Sequence, residues 1–374
     1  MYGNAIKNGG DNVNSYTTTP GTQTLTAFVR HDDNPIIGPH IVTDNGLIPN
    51  NVVLVWQDSP GLITHVGFTP DSLNLKFEVE QATIAQGNAI LAVRDGNTIL
   101  WSWHIWVTPL VNADAPATDR TLNNTNYYYD FMQYNLGWCT AKSVTYGSAP
   151  RSVMVRISQP TASGSEIFTI TQTQGITVTT GDNAPFWQWG RKDPMPPSIG
   201  MGNGNIADKM IFNNNYPYTL TSGQITAGGA IQTPYTFYRG SNDWCSPGQY
   251  YNMWSANNKA NTQSDNIVVK TVYDPAPVGF TMPATNAWTG LSTIPTFNLG
   301  WNVNLYGSGT TFFQASGFRR GNDGLVGAFG GTGVYWSAIP NSNNNANTLL
   351  LNSGGFGINN SARPAGCSIR CVLE

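Results

Sequence analysis

Short runs of β-branched and aromatic residues, each closed off by turn residues, fill the first part of the chain. Asp95-Gly96 between two of these runs supplies the positive φ of a tight hairpin turn. Strands at this spacing predict an N-terminal all-β sandwich at 1–115. The runs are 24–30, 50–58, 73–81, 88–95 and 98–108.

Charged side chains are scarce, and this excludes several classes of protein. They make up 10% of the 374 residues and the net charge is −3, where a typical soluble domain has about 25% charged residues. No basic face is large enough for a phosphate backbone, so we expect no nucleic-acid partner. No apolar stretch approaches the ~20 residues of a membrane helix, so we expect no membrane span. With 12 Trp, 16 Tyr and 15 Phe, the chain can bury far more area than a disordered one.

A surface poor in Lys and rich in Asn and Thr is typical of an extracellular protein, so we expect the extracellular space or the outer-membrane surface. Residues 1–10 have neither the basic nor the apolar region of a signal peptide. An export segment removed ahead of Met1 would account for this. Four cysteines allow three disulfide pairings, and the sequence does not choose among them. They are Cys139, Cys245, Cys367 and Cys371.

A second pattern follows a polar stretch rich in Pro and Ala at 109–125. We therefore predict a separate C-terminal domain at 126–374. It begins with an aromatic-rich pattern at 126–138 and contains a β-hairpin at 151–175, in which two alternating runs flank a Pro-Thr-Ala-Ser-Gly turn. Short helical pieces are predicted near 230–238 and 286–294.

Four motifs in the C-terminal part occur in a characteristic order. They are WQWGRKDPMPP (187–197), VKTVYDPAPVGFTMP (269–283), GVYWSA (333–338) and RPAGCSIRCVLE (363–374). Together they resemble the Fibrobacter succinogenes major paralogous domain of Bacteroidetes surface and fimbrillin-like proteins. The resemblance implies an α+β, C-type-lectin-like (formylglycine-generating-enzyme-like) domain that displays ligand-binding loops. It also implies that the sandwich at 1–115 is a pilin-like or surface-attachment module. Ala276 stands where the family often has a cysteine that would pair with Cys371, so that disulfide is not expected.

The Asn-rich segment 341–360 also resembles the variable region of proteins diversified by retroelements. These systems mutate adenines and favour Asn codons, which would explain the composition. Alternatively, Asn simply supplies left-handed turn geometry and surface amides. The protein sequence leaves both interpretations open.

Motifs for catalysis and for metal binding are absent. There is no P-loop, no His-Glu-x-x-His and no Gly-x-Ser-x-Gly. His40 and His104 stand alone, and Asn322-Asp323-Gly324 favours a turn over a calcium ligand set. We therefore predict no cofactor, no metal and no enzyme. A formylglycine-type enzyme using Cys367 and Cys371 is the disfavoured alternative, because the surrounding sequence matches the non-enzymatic family.

These observations predict a cell-surface ligand-binding protein of adhesin or pilus-tip type, with an unknown protein or glycan as ligand. Two alternatives stay open: a pilus or surface assembly subunit that binds pilin subunits, and a phage receptor-binding protein. Loops within 319–365 would carry the ligand, while Tyr335, Trp336, Gly366, Ser368 and Arg370 would form the supporting framework. The predicted contact residues are Arg320, Asn322, Phe329, Val334, Ile339, Asn341, Asn343, Asn345, Asn359, Asn360 and Pro364.

Overall fold

The chain is built mainly from short β-strands. The computed structural model describes residues 1–18, 21, 23–72, 74–82, 84–109, 118–140, 142–146, 150–159, 161, 164–172, 176–180, 183–197, 218–240, 242–260, 267–294 and 296–374. The strands up to the middle of the chain are Ile6–Lys7 (β1), Gly10–Asp11 (β2), Asn51–Gln57 (β3), Thr64–Phe68 (β4), Leu75–Glu78 (β5), Gly87–Asp95 (β6), Thr98–Val107 (β7), Thr118–Leu122 (β8), Tyr128–Met132 (β9), Lys142–Tyr146 (β10), Arg151–Ser158 (β11), Ser165–Gln172 (β12) and Ile176–Thr180 (β13). The later strands are Trp187–Gln188 (β14), Thr219–Ser222 (β15), Thr236–Arg239 (β16), Phe280–Thr281 (β17), Gly300–Asn304 (β18), Thr310–Gln314 (β19), Phe318–Arg319 (β20), Val326–Gly327 (β21), Thr332–Pro340 (β22), Asn345–Asn352 (β23), Gly355–Ala362 (β24), Gly366–Cys367 (β25) and Val372–Leu373 (β26).

Helical structure is minimal, so the prediction of an α+β C-terminal domain is not supported. The helical pieces in the described residues are the α-helix Ala227–Gln232 (α1) and the 3₁₀ turns Val13–Ser15 and Thr285–Trp288. The helix α1 stays short for a local reason. It contains Gly228 and Gly229, which cost about 1 kcal/mol each relative to Ala, and Pro234 follows two residues after its end. A proline ring there prevents the helix from continuing.

The N-terminal strands form the antiparallel sheet β3–β6–β7, as the sequence pattern predicts. Gly96, at φ +55°, makes the turn between β6 and β7. Trp101 is fully buried while Trp103 and Trp106 are half-buried, so both faces of β7 are covered. The predicted strand at 24–30 contributes only an isolated bridge. The β-rich architecture is consistent with an all-β sandwich.

The C-terminal strands form three main sheets around the predicted framework residues. The sheets have the strand orders β14–β25–β20–β21, β17–β26–β9–β8 and β22–β23–β24. The indole Nε1 of Trp336 donates to the carbonyl of Trp187 at 2.7 Å, which ties two of these sheets together. All five framework residues are buried, as predicted: Tyr335, Trp336, Gly366, Ser368 and Arg370.

One hydrophobic core draws on both sides of the predicted domain boundary. It contains Tyr2 and Trp101 from the N-terminal part and Trp187, Trp336 and Cys371 from the C-terminal part. Tyr2 packs edge-on against Trp101, with ring centroids 4.8 Å apart. The division into 1–115 and 126–374 stays a prediction, and residues of both ranges are packed into this core.

The hairpin predicted at 151–175 lies outside this core. β11 and β12 pair antiparallel, with Val153 opposite Ile170 and Val155 opposite Phe168. Within the described part of the chain neither strand has another partner, so the pair is a two-stranded ribbon.

Among the residues that the structure describes, no helix is long and apolar enough to cross a bilayer.

Candidate ligand-binding surface

Several predicted contact residues gather at one end of the sheet β22–β23–β24. The turn at 341–344 joins β22 to β23. The strand register places Asn345 opposite Ala362 and Thr348 opposite Asn359. Asn360 is opposite Asn347, so Asn345 and Asn360 share one face of the sheet, next to Asn341 and Asn343 in the turn. Asn359 points to the other face, so it does not join these asparagines.

Hydrogen bonds between side chains orient these asparagines. Asn341 Nδ2 donates to Asn347 Oδ1 at 2.9 Å, and Asn345 Nδ2 donates to Asn360 Oδ1 at 3.2 Å. An amide group has two donor hydrogens and two acceptor lone pairs. Each of these hydrogen bonds uses one N–H of the donor amide and one lone pair of the acceptor amide. The other N–H groups and lone pairs can bond to an outside partner.

Three residues that the sequence analysis missed lie in or beneath this surface: Gln23, Gln249 and Tyr251. The Tyr251 hydroxyl donates to Asn343 Oδ1 at 2.5 Å and also contacts the Gln23 side chain. Gln249 Nε2 donates to Asn344 Oδ1 at 3.2 Å. No local pattern marks these residues, because they come from distant parts of the chain. The amide surface, as we call it, consists of Gln23, Gln249, Asn341, Asn343, Asn344, Asn345 and Asn360, and the buried Tyr251 supports it from beneath.

A buried ion pair supports the amide surface from beneath. Arg363 Nη1 lies 3.4 Å from Asp243 Oδ2, and both side chains are almost fully buried. The guanidinium also donates to the carbonyl of Tyr250 at 2.8 Å and to that of Ser342 at 3.5 Å. It stacks on Trp189, 4.4 Å from the ring centroid. One buried cation therefore holds the turn at 341–344 against the segment 243–251.

Burial and pairing act in opposite directions on the carboxyl of this pair. Burial raises the pKa of Asp243 because it disfavours the charged form, while the Arg363 guanidinium and backbone N–H donors lower it. Burial likewise lowers the pKa of Arg363, and Asp243 opposes that shift. Each charge thus favours the ionised form of the other.

Two more predicted contact residues lie in a neighbouring turn. Arg320 and Asn322 are exposed in the turn after β20. Arg320 Nη2 forms a surface ion pair with Asp323 Oδ2 at 2.7 Å. Gly321, between them, packs closely against Pro364 and Ala365, so this turn borders the segment that carries Arg363.

The remaining predicted contact residues do not join the amide surface. Val334 and Ile339 belong to the hydrophobic core because β22 is covered on both faces, and Pro364 is buried. A contact role for these three residues is not supported. Phe329 is half-buried but lies beyond the opposite end of β22. A nine-residue strand spans roughly 26 Å, so Phe329 is far from the turn at 341–344.

The cysteines lack the properties of nucleophiles. All four are unpaired and buried, and burial raises the pKa of each. A nucleophilic thiol needs a lowered pKa and access to substrate. Cys367 and Cys371, which the enzyme alternative would use, have neither.

One cluster does contain the residue types of a Cys-His-Asn site. Asn88 Nδ2 donates to Asp58 Oδ2 at 2.8 Å and contacts Cys139 Sγ at 3.4 Å. His104 Nε2 lies 3.0 Å from Asn88 Oδ1. Burial lowers the pKa of His104 to about 4, and burial together with Asp58 raises that of Cys139. The cluster therefore holds a protonated thiol and a neutral imidazole, an arrangement that fits a buried polar network.

Among the residues that the structure describes, no group of three or more His, Cys, Asp or Glu side chains is placed to hold a metal ion. The chain was also compared with models of known protein families, with curated proteins and with solved structures, and none of the three comparisons gives a match. The family resemblance rests on the four sequence motifs.

Proposed function

We propose that this protein is a cell-surface ligand-binding protein of adhesin type that presents its amide surface to a protein or glycan. The observation that carries the proposal is a layer of exposed and half-exposed Asn and Gln side chains, supported by the buried Tyr251 and a buried ion pair. Asn side chains give adaptable hydrogen bonds, as in antibody paratopes. A rigid support reduces the entropy lost on binding.

The same proposal includes a location outside the cell, a C-type-lectin-like C-terminal part and diversification of the segment 341–360 by a retroelement. The surface poor in Lys supports the extracellular space or the outer-membrane surface, and the four motifs support a C-type-lectin-like arrangement of the C-terminal part. Sequencing the DNA downstream of the gene tests diversification. A near copy of the 3′ end that differs at adenines, beside a reverse transcriptase gene, is the expected result. Without such a copy, the amide surface has a fixed specificity.

Removing two amides from this surface is expected to weaken ligand binding at least about tenfold, because each interfacial hydrogen bond contributes about 1 kcal/mol. The purified chain and the variant Asn343→Ala/Asn345→Ala would be compared on a glycan array and on an array of cell-surface proteins. The matched control is Asn302→Ala/Asn304→Ala, which removes two exposed asparagines from β18. The proposal fails if no ligand is bound, or if the two variants bind it equally.

A second candidate function, an assembly subunit, is favoured by the ribbon β11–β12. Val153, Ile157 and Ile170 lie on one face of it and are 63%, 61% and 58% exposed. Phe168 lies on the same face and is also exposed. A two-stranded ribbon is only marginally stable alone in water, and an exposed apolar patch marks an interaction site. In an assembly, a neighbouring copy would cover this face.

If the ribbon assembles the protein, Val153→Ser/Ile170→Ser is expected to shift it from oligomer to monomer. Analytical ultracentrifugation over a hundredfold range of concentration measures this. The control is Met154→Ser, which removes an exposed apolar side chain from the opposite face. A wild-type protein that stays monomeric throughout would rule out assembly through the ribbon.

A further inference from the structure

A pocket that shares no residue with the amide surface lies between the turn after β9 and strand β19. Its volume is about 110 Å³, enough for several water molecules or a small ring. Tyr134, Trp138 and Phe312 line it, together with the polar side chains of Gln133, Asn135, Gln314 and Arg370. We propose that this Trp138 pocket binds one neutral sugar ring of a glycan.

The aromatic side chains of the pocket are held by the local fold. Gly137, at φ +75°, makes the turn that leads into Trp138. The backbone N–H of Trp138 donates to the carbonyl of Asn135 at 3.0 Å, and its carbonyl accepts from Trp106 Nε1 at 3.0 Å. On β19 the neighbouring Phe313 is fully buried, so strand alternation turns Phe312 outward, where it is 41% exposed. The pocket is therefore formed before any ligand arrives.

Arg370 supplies the polar part of the pocket. The side chain is almost fully buried. It donates to Asn135 Oδ1 at 3.2 Å, to the carbonyl of Phe312 at 3.3 Å and to Thr311 Oγ1 at 2.8 Å. These hydrogen bonds fix the guanidinium in place at the polar end of the pocket.

The charges around Arg370 favour a neutral ligand over an anion. Asp119 Oδ2 lies 3.9 Å from Arg370 Nη2, so the guanidinium already has a carboxylate beside it. A ligand carboxylate would be repelled by Asp119. Hydroxyl groups both donate and accept hydrogen bonds, so they can pair with the exposed amide of Gln133 at the pocket. The C–H face of a sugar ring is apolar and suits the aromatic walls.

The test uses the full chain and five sugars. Glucose, galactose, mannose, N-acetylglucosamine and glucuronate would be titrated by saturation-transfer NMR and calorimetry. We expect at least one neutral sugar to bind, and glucuronate to bind more weakly than that sugar. Phe312→Ala and Trp138→Ala are each expected to weaken binding about tenfold, which is the usual size of one aromatic contact. The control Phe77→Ala removes an exposed aromatic from β5 and should change nothing.

The proposal is overturned if none of the four neutral sugars binds, if glucuronate binds as tightly as the best of them, or if Phe312→Ala binds like wild type. Phe312 is partly exposed, so this variant is expected to fold even if Trp138→Ala does not. The site does not depend on the proposed function. Asn343→Ala/Asn345→Ala should keep full sugar binding in the Trp138 pocket, and loss of binding in that variant would place the sugar on the amide surface instead.

Discussion

Replacing Trp336 by Ala is expected to lower the free energy of unfolding by about 3–5 kcal/mol. The indole is fully buried in the main core. Its removal leaves a cavity and also deprives the carbonyl of Trp187 of the hydrogen bond from Nε1, at 2.7 Å. Urea denaturation followed by circular dichroism measures the effect, as a lower midpoint with an unchanged slope.

Two further variants separate packing from other causes. Trp336→Phe keeps most of the buried volume and should recover more than half of the lost stability. Trp103→Ala removes a half-buried indole from β7 and should cost clearly less. If Trp336→Ala instead loses ligand binding at unchanged stability, Trp336 is a contact residue and its assignment to the framework is wrong.

Replacing Arg363 by Ala is expected to have an effect of similar size, about 3–5 kcal/mol, because it leaves the buried Asp243 carboxylate without its counter-charge. Without Arg363 the pKa of Asp243 rises further. A carboxyl with a raised pKa in the folded state is protonated there at low pH, and its ionisation destabilises the fold as the pH rises through that value. The stability difference between variant and wild type should therefore be smaller at pH 4 than at pH 7.

Chemical denaturation at the two pH values measures this, and two variants serve as controls. Arg363→Ala/Asp243→Asn removes the unpaired charge and should recover part of the stability at pH 7. Arg320→Ala breaks the exposed ion pair with Asp323 and should cost less than about 1 kcal/mol. If Arg320→Ala and Arg363→Ala have equal effects, the buried pair does not support the amide surface.

What could be predicted from the sequence depended on local signals. The Asp95-Gly96 turn and the alternating residues on both sides of it predict the hairpin β6–β7. The position of Trp336 in its motif predicts that this residue is buried. The contact role predicted for Val334 and Ile339 failed because β22 is covered on both faces. It is buried from Gly333 to Pro340, and both side chains pack into the main core. The helices predicted in the C-terminal part do not extend beyond a short helix and a 3₁₀ turn.

The partners of the asparagines could not be predicted, because tertiary packing brings them together. Gln23 Nε2 donates to Gln249 Oε1 at 2.5 Å across a separation of 226 residues. The side chains carry no shared motif. Likewise, the pairing of Arg363 with Asp243 crosses 120 residues. The family, the ligand and the location stay predictions, of which the binding arrays test the ligand.

Arg363 reaches the turn at 341–344 only through main-chain groups. Its guanidinium bonds to the carbonyl of Ser342, and its backbone N–H donates to the carbonyl of Asn344 at 2.9 Å. Every amino acid carries that carbonyl, so the anchorage does not depend on which side chains occupy the turn. If the amide surface binds a ligand as proposed, substitutions in the turn would change what it recognises and leave its attachment through Arg363 intact. New specificities could then evolve at this site without compensating changes in the core.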